Sequence, residues 1–574
     1  MKRRALLSGI LAGNPAVEAG SPAQEESPFA NKALPVLRRT TAGLEPYTGS
    51  WGTAQAAHLL RRTTFGPASN DIATLGKLPV SDAVDILLAP PPAETSQPLT
   101  YDPRDFVPVG QTWVDATASS TATTFNPAGI RTNSLKAWWM GLMLNQALSI
   151  REKMVLFWHN HFVTETAVVA DPRFSYRYLS LLRANALGNF KDLVRQVTFD
   201  GAMLRYLNGN TNTKSSPNEN YGRELQELFT IGKGPEVVPG DYTTYTEDDV
   251  KAAARVLTGW KDFTNADGTV GETTWTFNAA KHDPTDKQFS ARYGGTVITG
   301  GGTDADGARE LGAMLDMIFA QDATAQFICR KLYRWFVYYV IDDVTEANVI
   351  EPLAGALKSA DYDILPVLRL LLNSAHFFDP VNMGCVIKSP IDHLIGVCRQ
   401  FGVAFPADPA SQYPLWNILW TQAQGMDMNP GDPPNVAGWQ AYYQSPEFYE
   451  LWINSDTLPK RSRFTDTATR NGFKSGSAVM AIDPIAFVMT LSNPADPNAI
   501  VDDACALFFP FTLTDAQRAF LKNTLLPGLP DYEWTNEWSA YLADPTSPTT
   551  MSAVKTKLQA LFSFMMEMPE YQLM

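Results

Sequence analysis

Two stretches decide the fold: Asn218 to Gly232, NENYGRELQELFTIG, and Tyr245 to Trp260, YTEDDVKAAARVLTGW. They read as two helices around a short connector that contains Gly and Pro. At 100° per residue, Asn220, Arg223, Glu224 and Glu227 fall within about 100° of one another. Tyr221, Leu225, Leu228 and Phe229 fill the adjoining apolar stripe. Two carboxylates, an amide and a guanidinium therefore run beside the packing face. The plainest reading is an exposed ladder in which Arg223 and Glu227 form an i,i+4 pair worth roughly 0.3 kcal/mol. The sharper reading is a site. In the second stretch Thr246 is the expected N-cap, acidic residues follow it where the helix dipole prefers them, and Gly259 supplies the stop.

Helical spacing continues on both sides. Upstream it predicts helices over 53–65, 81–88 (with Ser81 as N-cap), 132–162, 174–184 and 190–198. Downstream it predicts 308–320, 323–339, 348–359, 365–374, 392–401, 415–424 and a helical tail from Asp483, ending at 553–568. Between 262 and 299 the pattern changes to alternating β-formers with Gly turns, which predicts a small β-hairpin excursion. Residues 90–130 (PPPAETSQP, later ATASSTATTFNPAG) are irregular and read as a surface insertion or a lid. The expectation is a mainly α chain: a leader and flexible linker over 1–45, a large multi-helix globular domain over 46–475, and a C-terminal helical part over 476–574 packed on it. No fixed-period repeat implies a solenoid.

With 574 residues, 45% hydrophobic and 18% charged, the chain can bury a large core. A formal charge of −14 argues against nucleic acid and against anionic membrane surfaces. Cys329, Cys385, Cys398 and Cys505 are widely spaced and form no CxxC, which excludes a zinc ribbon; Cys329 and Cys398 are expected as buried thiols. No stretch approaches the roughly 18 apolar residues of a membrane span. Lys2-Arg3-Arg4 ahead of ALLSGILAG, with Val17-Glu18-Ala19 as a cleavage site, resembles a Tat-type leader, so the expected location is periplasmic or extracellular, with a cytoplasmic chain as the alternative.

The two opening stretches also resemble the signature of a large bacterial family known as "domain of unknown function 1800". Further blocks agree in order: AHLLRRTTFG at Ala57–Gly66, KMVLFWHNHFVTE at Lys153–Glu165 and KHDPTDKQF at Lys281–Phe289. CRKLYRWFV at Cys329–Val337, KSPIDHLIGVCRQFG at Lys388–Gly402, PPNVAGW at Pro433–Trp439 and WINSDTL at Trp452–Leu458 follow. The resemblance implies export and a sulfatase-like neighbour as partner, but no established reaction. Two departures stand out. Gly222 and Gln226 replace an Ala and an apolar residue, and His282-Asp283 is followed by Pro-Thr-Asp-Lys rather than Thr-Gly-x-Lys.

Among six histidines, His159 and His161 lie in WHNHF and His282 in KHDP. Together with Glu224, Glu227 and Asp283 they would suit a divalent metal of mixed N/O preference, Zn, Mn or Fe. An HxH pair shares a face only on a strand or at a helix end; inside a helix the two positions lie about 200° apart, so one faces away, and a lone His beside Trp158 and Phe162 reads as a satisfied core residue. HExxH, GxSxG and the phosphate-loop pattern are absent, and GGTDADG reads as a polar turn. Two readings follow. One is a metal-assisted hydrolase with Glu224 or Glu227 as base, His159, His161, His282 and Asp283 as ligands, Arg223 stabilising an anion and Asn220 beside them. The other is a non-catalytic surface or assembly protein whose same residues form a buried polar network.

Overall fold

The helix Arg151–His161 is buried from Glu152 to His161, charged residues included. A helix enclosed on every side is a core element, and the helix Pro172–Ala184 packs against it. The computed structural model describes residues 39–90, 92, 96–120, 125–442 and 448–574. The expected leader, up to residue 38, lies outside the described residues. Thr40 to Met574 gather into one compact unit.

The architecture is mainly α, as the spacing predicts, with two-stranded antiparallel sheets as the β structure of the described residues. The 262–299 excursion carries two of these: Trp260–Asp262 pairs with Trp275–Phe277, and Lys287–Gln288 with Val297–Ile298. Glu236–Val238 with Asp241–Tyr242, and Phe473–Ser475 with Ala478–Met480, were not expected. The helix expected over 132–162 is two, Ala128–Leu144 and Arg151–His161. Asn145 ends the first by turning its amide back onto the Gly141 carbonyl at 2.8 Å. Ser81 is not an N-cap: its helix begins at Val80 behind Pro79, and its hydroxyl donates to Asp82 instead.

The described part of the irregular insert is packed rather than hinged. Arg131 makes a bidentate pair with the buried Asp105 at 2.7 and 2.8 Å and holds the Thr117 carbonyl at 2.8 Å. Trp113 is fully buried and donates to Ser134 at 2.9 Å. Such anchors remove the freedom a lid needs.

Two motif blocks meet where Gly66 crosses Gly396. Gly66 has φ +82°, and a Cβ there would lie 2.5 Å from the Gly396 Cα. Only glycine allows both the left-handed turn and that approach. It brings the chain just after the Thr53–Thr63 helix against Pro390–Gln400, whose neighbour Thr457–Arg470 packs on the C-terminal helix Pro548–Glu567. All four cysteines are free thiols, and burial pushes Cys329 and Cys398 up to about 12. No described helix is long and apolar enough to cross a membrane.

Candidate functional site

The opening stretch is not one continuous α-helix. Asn218 caps it by accepting the Asn220 N–H at 3.0 Å, and Glu219–Glu224 is α-helical. From Leu225 to Thr230 the backbone widens into a π-helix. The Thr230 hydroxyl donates to the Leu225 carbonyl at 2.5 Å and the Ile231 N–H to the Gln226 carbonyl at 3.2 Å, both five residues back. Such turns are uncommon and concentrate at functional sites. Gly222 and Gln226, the first of the departures from the family pattern, each have a physical role here. A Cβ on Gly222 would stand 3.1 Å from the Ala254 nitrogen, so glycine lets the Glu247–Val256 helix sit close. Gln226 is fully buried; its amide donates to the Gly222 carbonyl at 3.0 Å and accepts from Tyr293 at 2.9 Å.

At the α–π junction stand Glu224 and Glu227, both half-buried. Glu227 accepts from the Tyr245 hydroxyl at 2.8 Å and faces the Lys233 ammonium at 3.7 Å. Glu224 has no hydrogen bond or ion pair among the described residues. Burial, and then the neighbouring Glu227, push its carboxyl up to about 7, against the opposing pull of Arg223 and Lys233. Close by, the Tyr206 hydroxyl donates to Glu165 at 3.0 Å, and burial, Glu165 and Glu224 all raise that phenol. The stripe read from spacing is thus a carboxylate pair flanked by two tyrosines and a third carboxylate. Spacing missed Tyr206 and Tyr245; Glu165 was visible only as the last letter of a motif block.

The other expected site residues lie elsewhere. Arg223 does not pair with Glu227. It forms a bidentate bridge to Glu247 at 2.7 and 2.6 Å with Glu219 at 3.4 Å, so its charge is committed to joining two helices. Asn220 is exposed, and its backbone N–H serves the cap. His159 and His161 diverge, as a continuous helix requires. His159 accepts the Gly431 N–H at 3.2 Å between Trp139 and Trp439, and burial holds it down at about 4. Its neighbour Asn160 accepts the Trp439 N–H at 2.9 Å, so one turn of helix grips the PPNVAGW loop. His161 points to the π-helix, with Nε2 on the Phe229 carbonyl at 3.0 Å and Nδ1 on Lys331 at 3.1 Å.

His282 belongs to a third place. It is fully buried, with Nδ1 on the Thr258 carbonyl at 2.8 Å and Nε2 3.2 Å from Glu310, which also binds Lys287 at 2.5 Å. Asp283 receives Arg255 at 2.7 Å and the Thr285 hydroxyl at 2.6 Å. Burial works to raise Asp283, but these bonds hold it at about 2. The expected single constellation is therefore not assembled. No three His, Cys, Asp or Glu side chains of the described residues converge as a ligand set.

Away from these residues, a groove of about 690 Å³ runs past Trp138, Tyr176 and Ser180, and one of about 410 Å³ shares Ser96, Gln97, Trp138 and Arg151 with it. Size alone would favour it as a ligand site. Its cations are already engaged: Arg183 on Glu152 at 2.9 Å, Arg177 on Asp115 at 2.5 Å, Arg151 on the Pro92 carbonyl at 2.9 Å. Glu224, by contrast, is a half-buried acid with no hydrogen bond or ion pair among the described residues. A family model described as "Protein of unknown function (DUF1800)" matches residues 58–573. No curated protein and no solved structure matches the chain.

Proposed function

The chain belongs to the DUF1800 family, and on that premise we propose that it is a hydrolase in which Glu224 is the general acid and Glu227 the general base. The observation that carries this reading is Glu224 itself, a half-buried carboxyl with no partner among the described residues, raised to about 7 beside a second carboxylate. A pair of carboxyls in unlike environments is the arrangement that divides acid from base. Glu224 protonates the leaving oxygen. Glu227, oriented by Tyr245, takes the proton of the attacking water. Three carboxylates around the site favour a neutral or cationic substrate, and acetal bonds such as glycosides suit such a pair best.

Carboxyl-selective NMR titration tests the premise without a substrate. Glu224 should titrate near pH 7, whereas a midpoint in the ordinary glutamate range would sink the proposal. On aryl glycosides, Glu224→Gln and Glu227→Gln should each lower kcat about 10²–10⁴-fold while the fold is kept. The wild-type rate should fall as pH rises through about 7.

Stability gives a second readout. The folded pKa of Glu224, about 7, lies above its ordinary value of 4.5. Its contribution is therefore complete below pH 4.5 and is lost as pH rises through 7. Glu224→Gln should stabilise the protein at pH 8 and not at pH 4. Partial solvent access scales the gain to about 1 kcal/mol.

The rival reading, a non-catalytic assembly protein beside a sulfatase-like partner, draws support from the closed networks around His282 and Asp283. An ordinary Glu224 titration would favour it.

A further inference from the structure

Lys331 lies in the helix Asp322–Phe336, half-buried, where three motif blocks meet: WHNHF, the π-helix and CRKLYRWFV. Its surroundings differ from those of three buried lysines that are ion-paired. Lys136 is paired with Asp432, Lys153 with Asp392 and Lys287 with Glu310. Lys331 forms no ion pair with a carboxylate of the described residues. Among the described residues its Nζ has two polar contacts, His161 Nδ1 at 3.1 Å and the Leu228 carbonyl at 3.2 Å, and lies 4.8 Å from the centroid of the Phe327 ring.

The histidine tautomer follows from its other bond. His161 Nε2 faces the Phe229 carbonyl, which can only accept, so Nε2 carries the proton and Nδ1 of the neutral ring accepts. Burial and the Lys331 charge both keep that ring from protonating. Both contacts of Nζ are therefore acceptors. An uncharged amine has two N–H donors and one lone pair; the two acceptors use the donors and leave the lone pair free. An ammonium would have a third donor and no anion to receive it. Arg334 on the same helix adds repulsion, and Arg330 is neutralised by Glu346. Burial, then Arg334, lower the amine to about 7.

We infer that Lys331 is a nucleophilic amine that condenses with a small aldehyde, the two N–H bonds to His161 and Leu228 orienting its lone pair. The Nζ lone pair adds to the carbonyl carbon to give a carbinolamine, and loss of water leaves a Schiff base: amine plus aldehyde gives imine plus water. This site is independent of the Glu224 reading and survives or fails separately.

The test uses the full wild-type chain with glycolaldehyde and sodium cyanoborohydride at pH 7, followed by peptide mapping in time. Cyanoborohydride delivers hydride to the imine and fixes the adduct. The exposed Lys251, Lys261 and Lys474 are internal references. At pH 7 about half of an amine of pKa 7 is free, against well under one per cent of an ordinary lysine. Lys331 should therefore label at least about ten-fold faster than the references. Labelling at or below their rate overturns the inference and requires no variant. Lys331→Arg should abolish the fast adduct and leave the slow ones unchanged; a fast adduct that persists elsewhere in that variant would equally overturn it.

Discussion

Glu310→Gln is expected to remove about 3–5 kcal/mol of stability, read as a fall in the urea midpoint at unchanged slope. Glu310 is fully buried on the helix Asp304–Phe319, with His282 and Lys287 equally enclosed. Its two oxygens face Lys287 at 2.5 Å and His282 at 3.2 Å, and Arg309 lies at 3.7 Å. Lys287 also donates to the Asp283 carbonyl at 2.5 Å. Glutamine keeps the shape and one oxygen but removes the charge, so Lys287 is left with carbonyl-type acceptors in a fully buried site. That asymmetry makes breaking a buried pair costly while replacing the whole pair is cheap. The double variant Glu310→Leu/Lys287→Met should accordingly recover much of the loss. A Glu310→Gln protein within about 1 kcal/mol of wild type would mean that the KHDPTDK block is held by its turns and not by this anchor.

The same block shows what could be read from the chain and what could not. His282 and Asp283 were singled out by type and by family pattern, and both are functional in the sense of holding the fold. Their partners Glu310, Thr258 and Arg255 come from other elements, and no local spacing announces them. The same holds for WHNHF. That the two rings point apart follows from 100° per residue. That one meets Gly431 and the other Lys331 depends on contacts across 272 and 170 residues.

The acidic stripe was legible as far as the α-helix lasts. Beyond Leu225 the π-turn changes the angular step, so the pair expected between Arg223 and Glu227 does not form and Arg223 reaches Glu247. Nothing in LQELFT marks a π-helix by composition. Gln226 within it accepts from Tyr293 of the β excursion at 2.9 Å, a tertiary contact that local composition does not announce. Helix existence was readable because burying one face is a local pattern; the site was not, because its tyrosines arrive from the Gly201–Tyr206 helix and from the residue ahead of the Thr246 cap.

Asp392→Asn should be the second severe variant, with a loss of about 3–5 kcal/mol at pH 7. Asp392 is buried at the start of the helix Pro390–Gln400, paired with Lys153 and accepting the Ser389 hydroxyl at 2.7 Å. Around it the motif blocks deliver buried cations. Lys388 lies over the Tyr571 ring at 3.8 Å, Arg461 donates to the Lys388 carbonyl at 2.8 Å, and Arg61 holds the Leu507 and Phe509 carbonyls at 2.9 and 2.8 Å. The negative charge of Asp392 acts on Lys153, Lys388 and Arg461 together. Removing it strands Lys153 first. Burial already lowers Lys153 from its ordinary value of 10.5, and Asp392 opposes that fall. Without Asp392 the folded pKa drops further below the unfolded one, so folding must take up a neutral lysine or a stranded cation. The deficit of the variant should therefore shrink as pH rises toward 10.5, where the unfolded lysine loses its proton too. Urea midpoints at pH 7 and pH 9.5 separate this from simple loss of a hydrogen bond, which would leave a deficit independent of pH. Lys153→Met in the Asp392→Asn background should restore stability at pH 7, because the stranded charge, and not the missing carboxylate, carries the cost.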